Sequence, residues 1–108
     1  MRNIIFVTGN KGKVATMQRH FDRLGVDAKV TQKTLELDEI QADTATEVAL
    51  AKARQAHKIL CAPILVDDSS FHIAVLRGFP GPYIKFMLST VGIDGIIEFM
   101  QGKTDRSA

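Results

Sequence analysis

Three short segments carry the residue types that could act on an anionic ligand. The first is the loop Thr8-Gly9-Asn10-Lys11-Gly12-Lys13, which follows an apolar run and precedes an amphipathic one. Backbone amides at a helix N-terminus, together with a lysine, form a cradle for phosphate. The loop is not a Walker A motif, because only two residues separate its glycines and Val14 stands where a Ser or Thr belongs. It predicts either an anion site or an ordinary turn between a strand and a helix.

The second segment is the acid pair Asp67-Asp68, which follows the apolar run 64–66. In open α/β sheets, ligands bind beyond the carboxyl ends of the strands. A carboxylate there can hold Mg²⁺, which prefers oxygen ligands and bridges to substrate phosphates. Asp-Asp-Ser-Ser is also a favourable turn sequence, so the residues alone leave both interpretations open.

The third segment is acidic and contains no base. Residues 34–47 hold five acids (Glu36, Asp38, Glu39, Asp43 and Glu47), whereas residues 1–33 hold seven Lys or Arg against two acids. Neighbouring basic and acidic segments indicate either a site for an anion with its divalent cation or two solvated faces of opposite sign. Glu39 is a candidate carboxylate in this segment, although a lone loop glutamate is ordinarily only solvated, and Lys52 on the following helix is expected at the surface.

The predicted elements place these segments at the ends of strands. The apolar run Arg2–Val7 predicts a buried strand, and apolar residues at three- and four-residue steps predict a helix over 11–24, ended by Gly25. Residues 27–37 predict an edge strand and a loop. Thr44 and Glu47 have the spacing of a capping box, which predicts a second helix running to Leu60.

The second half of the chain reads less regularly. Ile64–Val66 predicts a strand, residues 71–76 fit either strand or helix, and Arg77–Pro82, with two Gly and two Pro, predicts a rigid turn. Two short helices at 83–89 and 95–101 and a frayed tail at 103–108 complete the prediction. The alternation of strands and helices indicates the α/β class.

Composition limits the remaining classes. The chain has 108 residues, 45% of them hydrophobic and 24% charged, which predicts one globular domain over residues 1–108. No apolar run approaches the length of a membrane span, and the basic excess and aromatic content are too low for a nucleic-acid binder. The single Cys61, which we expect to be buried, cannot form an internal disulfide. A cytoplasmic protein is expected.

Four motifs occur together in a recognisable order. They are Phe6-Val7-Thr8-Gly9-Asn10 with Lys13, Glu39-Ile40-Gln41, Val66-Asp67-Asp68-Ser69, and Gly78-Phe79-Pro80-Gly81-Pro82-Tyr83-Ile84-Lys85. In these motifs the chain resembles the inosine/xanthosine triphosphate pyrophosphatase family, from about Ile4 to the C-terminus. The resemblance implies a mixed β-sheet flanked by helices and Mg²⁺-dependent hydrolysis of ITP, dITP or XTP to monophosphate and pyrophosphate.

The resemblance also implies roles for matching residues. Thr8, Gly9, Asn10 and Lys13 correspond to the loop that binds the triphosphate, and Lys52 to a further lysine on the phosphates. Glu39 and Asp68 correspond to the carboxylates linked to the metal. Asp68 is in addition the expected activator of water, and Lys13 is expected to act with it in catalysis.

Two departures from the family pattern accompany the match. Ser70 and Phe71 stand where a small residue and Leu are usual, and Phe71 is expected to replace Leu in a core. The match also covers only the N-terminal half of the family fold, without the groups that hold the purine. We therefore expect a homodimer, with exchanged elements as one form of it, because exposed strand edges and apolar faces need cover. The alternative is an inactive homologue that binds nucleotide or only assembles.

Overall fold

The computed structural model describes all residues from Met1 to Ala108, and these form two compact units. The first unit comprises residues 1–40 and 49–67, and the second comprises residues 41–48 and 68–108. In chain order the elements are β1 (Arg2–Val7), α1 (Lys11–Arg23), β2 (Ala28–Lys33), α2 (Ala45–Leu60), β3 (Ile64–Leu65), β4 (Phe71–His72), a 3₁₀ turn (Ala74–Leu76), β5 (Pro80–Gly81), α3 (Ile84–Thr90) and α4 (Gly92–Met100).

The first unit contains a parallel three-stranded sheet in the order β2-β1-β3. The register of β1 and β2 runs from Arg2 opposite Ala28 to Val7 opposite Lys33. On its other side β1 pairs with β3, with Phe6 opposite Leu65. The predicted strands β1 and β3 are thus confirmed, and β2 lies at an edge as expected.

The core of the first unit lies around β1. Its buried residues are Phe6, Val7, Ala28, Val30 and Ala56. Helix α1 contributes a half-buried stripe rather than a buried one, because none of its residues is fully buried. Gln18 of α1 ties this helix to the edge strand: its amide donates to the Ala28 carbonyl at 3.0 Å, and its carbonyl accepts from the Val30 amide at 2.8 Å.

The predicted limits of α1 and α2 are accurate, and their ends have identifiable causes. Gly25, with φ +71°, follows α1 as a left-handed terminator. The Thr44 hydroxyl accepts from the Glu47 amide at 3.2 Å, which begins α2 as predicted. The expectation that Cys61 is buried is wrong. Cys61 is exposed with φ +48°, because it ends α2 by donating its amide to the His57 carbonyl at 2.8 Å.

The second unit is built around the rigid turn. Strands β4 and β5 form a two-stranded antiparallel sheet, with Phe71 opposite Gly81. The ambiguous segment 71–76 resolves into β4 followed by the 3₁₀ turn. Ile73 and Pro80 are almost completely buried, and the Phe79–Pro80 bond is cis. Gly81 has φ +57°, a conformation that glycine adopts at low cost.

Two expectations in the second unit fail. Phe71 is 36% exposed, so it does not take the place of a core Leu. Helix α4 begins at Gly92 rather than at residue 95, since the α3–α4 connection is a single residue, Val91.

Beyond α4, the Arg106 guanidinium donates to the Met100 carbonyl at 2.8 Å, and hydrogen bonds from Ser107 hold the pKa of Asp105 below its usual value.

The α/β class is confirmed. The helices alternate with parallel strands in the first unit, and the antiparallel pair belongs to the second. None of the helices combines the length and the apolar character needed to cross a bilayer.

Candidate functional site

The parallel sheet brings three loops of the first unit together at the carboxyl ends of its strands. Because β1, β2 and β3 run in the same direction, the loops that follow Val7, Lys33 and Leu65 all leave from their carboxyl ends. These loops carry the predicted phosphate loop, the first part of the acidic stretch and Asp67 of the acid pair. Ligands of open α/β sheets gather at this edge, so the fold favours a site there.

The phosphate loop has a defined local structure. The Asn10 side chain accepts hydrogen bonds from the amides of Gly12 at 2.9 Å and Lys13 at 3.3 Å, and so caps α1. The Asn10 amide in turn donates to the Thr8 hydroxyl at 3.1 Å. Two of the amides expected to face a phosphate are therefore already bonded to Asn10. An anion must either displace this cap or bind through Lys13 and the remaining donors.

The two glycines of the loop differ in their surroundings. Nothing lies within 4 Å of the place a Cβ would take on Gly9, so the main chain there is open to a ligand. A Cβ on Gly12 would instead lie 3.1 Å from the Asn10 side-chain oxygen. Gly12 thus leaves room for the cap, whereas Gly9 leaves room beside the loop.

Both predicted phosphate lysines contact Asp67. The Lys13 ammonium lies 2.5 Å from Oδ2 of Asp67, and the Lys52 ammonium donates to the Asp67 main-chain carbonyl at 3.2 Å. Lys52 also lies 3.7 Å from Oε1 of Glu39. The structure therefore contains two ion pairs, Lys13–Asp67 and Lys52–Glu39, joined by the hydrogen bond from Lys52 to the Asp67 main chain.

A shallow groove of about 560 Å³ opens beside this cluster. Its lining mixes polar and apolar residues: Phe6, Asn10, Gly12, Lys13, Thr16, Met17, His20 and Asp67. The Lys52 side chain is only 18% exposed, whereas the other three members of the charge cluster are 37–50% exposed. Water and ions therefore reach most of the cluster.

Asp68 begins the long segment of the second unit and has a different environment. Its Oδ2 is buried and has no hydrogen-bond partner. A buried acceptor left unpaired costs about 1–3 kcal/mol, so this oxygen is suited to a water molecule or a cation. No group of three or more His, Cys, Asp or Glu side chains in the molecule is placed to hold a metal. Any divalent ion would have to complete its shell with water and ligand oxygens.

The sequence did not assign a role to Asp67. The residues point to both acids of the pair, and the family resemblance attaches the chemistry to Asp68 alone. Both acids lie beyond β3, which ends at Leu65, so strand alternation does not assign their side chains. The contacts of Asp67 come from Lys13 and Lys52, which are 54 and 15 positions away in the sequence.

The fourth motif, Gly78 to Lys85, forms the turn, β5 and the start of α3 in the second unit. Gly78 and Gly81 have φ angles of +95° and +57°, and Pro80 is buried. The motif is therefore a rigid corner that begins α3, which is the structural role expected for it.

Comparison with known proteins agrees with these motifs. The Ham1 family matches residues 4–108. The inosine triphosphate pyrophosphatase of Yarrowia lipolytica is 40% identical over 106 residues, covering 98% of this chain and 55% of that protein. The dITP/XTP pyrophosphatase of Thermococcus kodakarensis is 39% identical over 105 residues, covering 97% of this chain and 56% of that protein.

Solved structures show the same fold. The Ham1 protein of Staphylococcus aureus superposes with a TM-score of 0.73 at 21% identity, covering 97% of this chain and 57% of its own. The nucleoside-triphosphatase (dITP/XTP pyrophosphatase) of Mycobacterium abscessus gives a TM-score of 0.70 at 20% identity. This chain spans about half the length of the curated relatives it matches. Since the family match covers nearly every residue described above, the chain belongs to the Ham1 family.

Proposed function

We propose that this chain carries the phosphate- and metal-binding part of a nucleoside triphosphate pyrophosphatase. Its substrates are non-standard purine triphosphates such as ITP, dITP and XTP, and its products are a monophosphate and pyrophosphate. The observation that carries the proposal is the meeting of Lys13 and Lys52 at Asp67, at the carboxyl edge of the parallel sheet. The names of the relatives support the reaction and the substrate class.

The cluster supplies positive charge where a polyphosphate would need it. Lys13 belongs to the same loop as Gly9, whose main chain is open to a ligand. The Lys13 ammonium has three N–H donors, and Asp67 accepts from it, so donors remain for a phosphate. Lys52 is the less exposed of the two lysines, and its charge is weakly screened by solvent. We assign the phosphates to these lysines together with Thr8, Gly9 and Asn10.

The carboxylates Glu39 and Asp68 fit Mg²⁺ in their chemistry. Asp68 offers a buried oxygen without a partner, and Glu39 is a half-exposed carboxylate beside Lys52. Mg²⁺ is commonly held by one or two carboxylates, with substrate phosphates and water as its other ligands. Held by such a carboxylate, the ion would neutralise negative charge on the phosphates during transfer.

The remaining step assigned to the chain is proton removal from water. Asp68 accepts a proton from the attacking water as its oxygen bonds to phosphorus. The α–β anhydride bond breaks, and the departing phosphate oxygen keeps the bonding electrons. Lys13 stabilises the negative charge that spreads over the phosphate oxygens at this point, which is typically worth a hundredfold or more in rate.

The test is pyrophosphate release from ITP or dITP with Mg²⁺. We expect Asp68→Asn and Lys13→Ala to lower kcat by at least a hundredfold without a matching loss of folded protein. Lys58→Ala is the matched control, because Lys58 is an exposed lysine on the helix that carries Lys52. If the wild-type chain releases no pyrophosphate from any triphosphate, hydrolysis by this chain is excluded.

Binding without turnover is the second candidate. It needs only the two lysines that meet at Asp67, without a carboxylate that activates water. Calorimetric titration with a non-hydrolysable triphosphate separates the two candidates. Binding without pyrophosphate release supports the second candidate, and no binding leaves assembly as the remaining role.

We further propose that the chain forms a homodimer, with exchanged elements as one arrangement. Helices α3 and α4 expose large apolar side chains: Phe86 is 70%, Ile93 66% and Ile97 55% exposed. Monomeric proteins rarely leave several such side chains uncovered on neighbouring helices. A second copy of the chain is the partner proposed for these helices.

A further inference from the structure

Helix α2 holds the acidic loop through a pair of hydrogen bonds that no catalytic assignment uses. The Gln55 side-chain carbonyl accepts from the Asp38 amide at 2.8 Å, and the Gln55 side-chain amide donates to the Asp38 carbonyl at 2.8 Å. One side chain therefore satisfies both main-chain groups of one residue, as a neighbouring strand would. Asp38 immediately precedes Glu39, the proposed metal ligand.

These two bonds are what anchors the loop. Residues 34–40 form neither helix nor strand. Between Leu35 and Ile40, no hydrogen bond other than the two from Gln55 reaches the main chain. The main-chain hydrogen bonds beside Glu39 therefore come from α2 rather than from the sheet that the loop leaves.

The same face of α2 carries the lysine that Glu39 contacts. Lys52 and Gln55 are three residues apart in α2, a spacing that places their side chains on one face. Gln55 fixes the loop at Asp38, and Lys52 lies 3.7 Å from Oε1 of Glu39. The residue that anchors the loop and the lysine that Glu39 contacts therefore belong to one helix.

We infer that Gln55 is a positioning residue for the metal ligand Glu39. Through Asp38 it holds the Glu39 carboxylate where a divalent cation bound to polyphosphate can use it. The inference rests on the proposed function, since it needs Glu39 to act on such a cation. Partners that orient metal ligands typically change metal affinity 10–100-fold when they are removed. Because both hydrogen bonds of Gln55 are solvent-exposed, we expect the low end of that range.

The first readout is the anchoring itself. In the wild-type protein the Asp38 amide should exchange slowly with solvent, and Gln55→Ala should speed its exchange about tenfold. Gln55→Met keeps the length of the side chain and loses both hydrogen bonds, so it should behave like Gln55→Ala. His57→Ala is the control, because His57 is an exposed residue of α2 and the loop's bonds come from Gln55 instead. Unchanged Asp38 exchange in Gln55→Ala would overturn the inference.

The second readout is binding of tripolyphosphate by calorimetry, with EDTA or with Mn²⁺ as the stand-in for Mg²⁺. With EDTA, Gln55→Ala should bind as tightly as wild type, because the lysines are retained. With Mn²⁺, it should bind about tenfold more weakly than wild type. A general loss of structure would weaken binding under both conditions, and that result would overturn a positioning role.

A double-mutant comparison tests whether Gln55 acts through Glu39. In a Glu39→Gln background, adding Gln55→Ala should cause no further loss of Mn²⁺-dependent binding. Independent, additive losses would overturn the inference and leave the proposed function standing. If the wild-type chain gains no affinity from Mn²⁺, the proposed metal role of Glu39 fails, and the inference fails with it.

Discussion

In the first unit the exposed edge of the sheet is occupied by charged side chains that contact one another, whereas in the second unit the helices expose large apolar ones. Lys13, Asp67, Lys52 and Glu39 each have a partner of opposite polarity. Phe86 is 70% and Ile93 66% exposed. The charged side chains of this cluster thus have partners within the first unit, whereas the helices of the second unit expose apolar side chains without partners in the chain.

This difference separates two requirements that a binding protein must meet. Paired charges can remain exposed to water without a bound anion at little cost in stability. Exposed ion pairs contribute little to the free energy of unfolding, so an anion can replace one partner. Exposed apolar side chains have no comparable partner in water. Each Å² of apolar surface that stays exposed leaves about 25 cal/mol of burial free energy unrealised. The lysines proposed for the phosphates therefore belong to the first unit, and the helices proposed for association belong to the second.

The largest expected effect compares a buried and an exposed phenylalanine. Phe6 is 2% exposed in the first unit, and Phe86 is 70% exposed in the second. Phe6→Ala should lower the free energy of unfolding by about 3–5 kcal/mol, because it leaves a cavity beside β1. Phe86→Ala should change it by less than about 0.5 kcal/mol in dilute protein. Urea unfolding measures both, and equal losses would contradict the exposure of Phe86.

The next effect concerns association through the exposed apolar side chains of α3 and α4. If a second copy covers α3 and α4, the unfolding midpoint of the wild-type chain must rise with protein concentration. Each tenfold change in concentration corresponds to about 1.4 kcal/mol of dimer stability. Ile93→Asp should abolish this dependence, because it would bury a charge in the interface.

Leu24→Asp is the matched control for the dimer. Leu24 is 72% exposed at the end of α1, in the first unit, so its replacement should leave the concentration dependence intact. Light scattering on the same samples gives the mass directly. A wild-type midpoint and mass that do not depend on concentration would contradict the homodimer.

Local patterns predicted the first unit well. Strand β1 and helices α1 and α2 were located by apolar spacing and by capping residues such as Thr44, which act over a few residues. Such signals are complete within the sequence that forms the element. The meeting of the three loops at one edge followed from parallel pairing, which the alternation of elements already favoured.

What escaped prediction depends on contacts between distant segments. The Asp67 contacts and the Gln55–Asp38 pair join residues 15 to 54 positions apart, and no local pattern marks them. Cys61 was expected inside because its neighbours are apolar, yet its left-handed backbone at the end of α2 turns it outward. Phe71 lies exposed because β4 is a two-residue strand in a two-stranded sheet.

The smallest expected effect is the contribution of the Lys13–Asp67 ion pair to the stability of the fold. The Lys13 and Asp67 side chains are 44% and 37% exposed, so their ion pair should contribute at most about 1 kcal/mol. Lys13→Ala, Asp67→Asn and the double variant, unfolded in urea at low and high salt, measure this coupling. We expect it to fall as salt rises, because solvent ions screen an exposed pair. A coupling of several kcal/mol that salt does not alter would mean that the Lys13–Asp67 pair stabilises the fold. Binding of a polyphosphate to Lys13 would then have to break a strong ion pair.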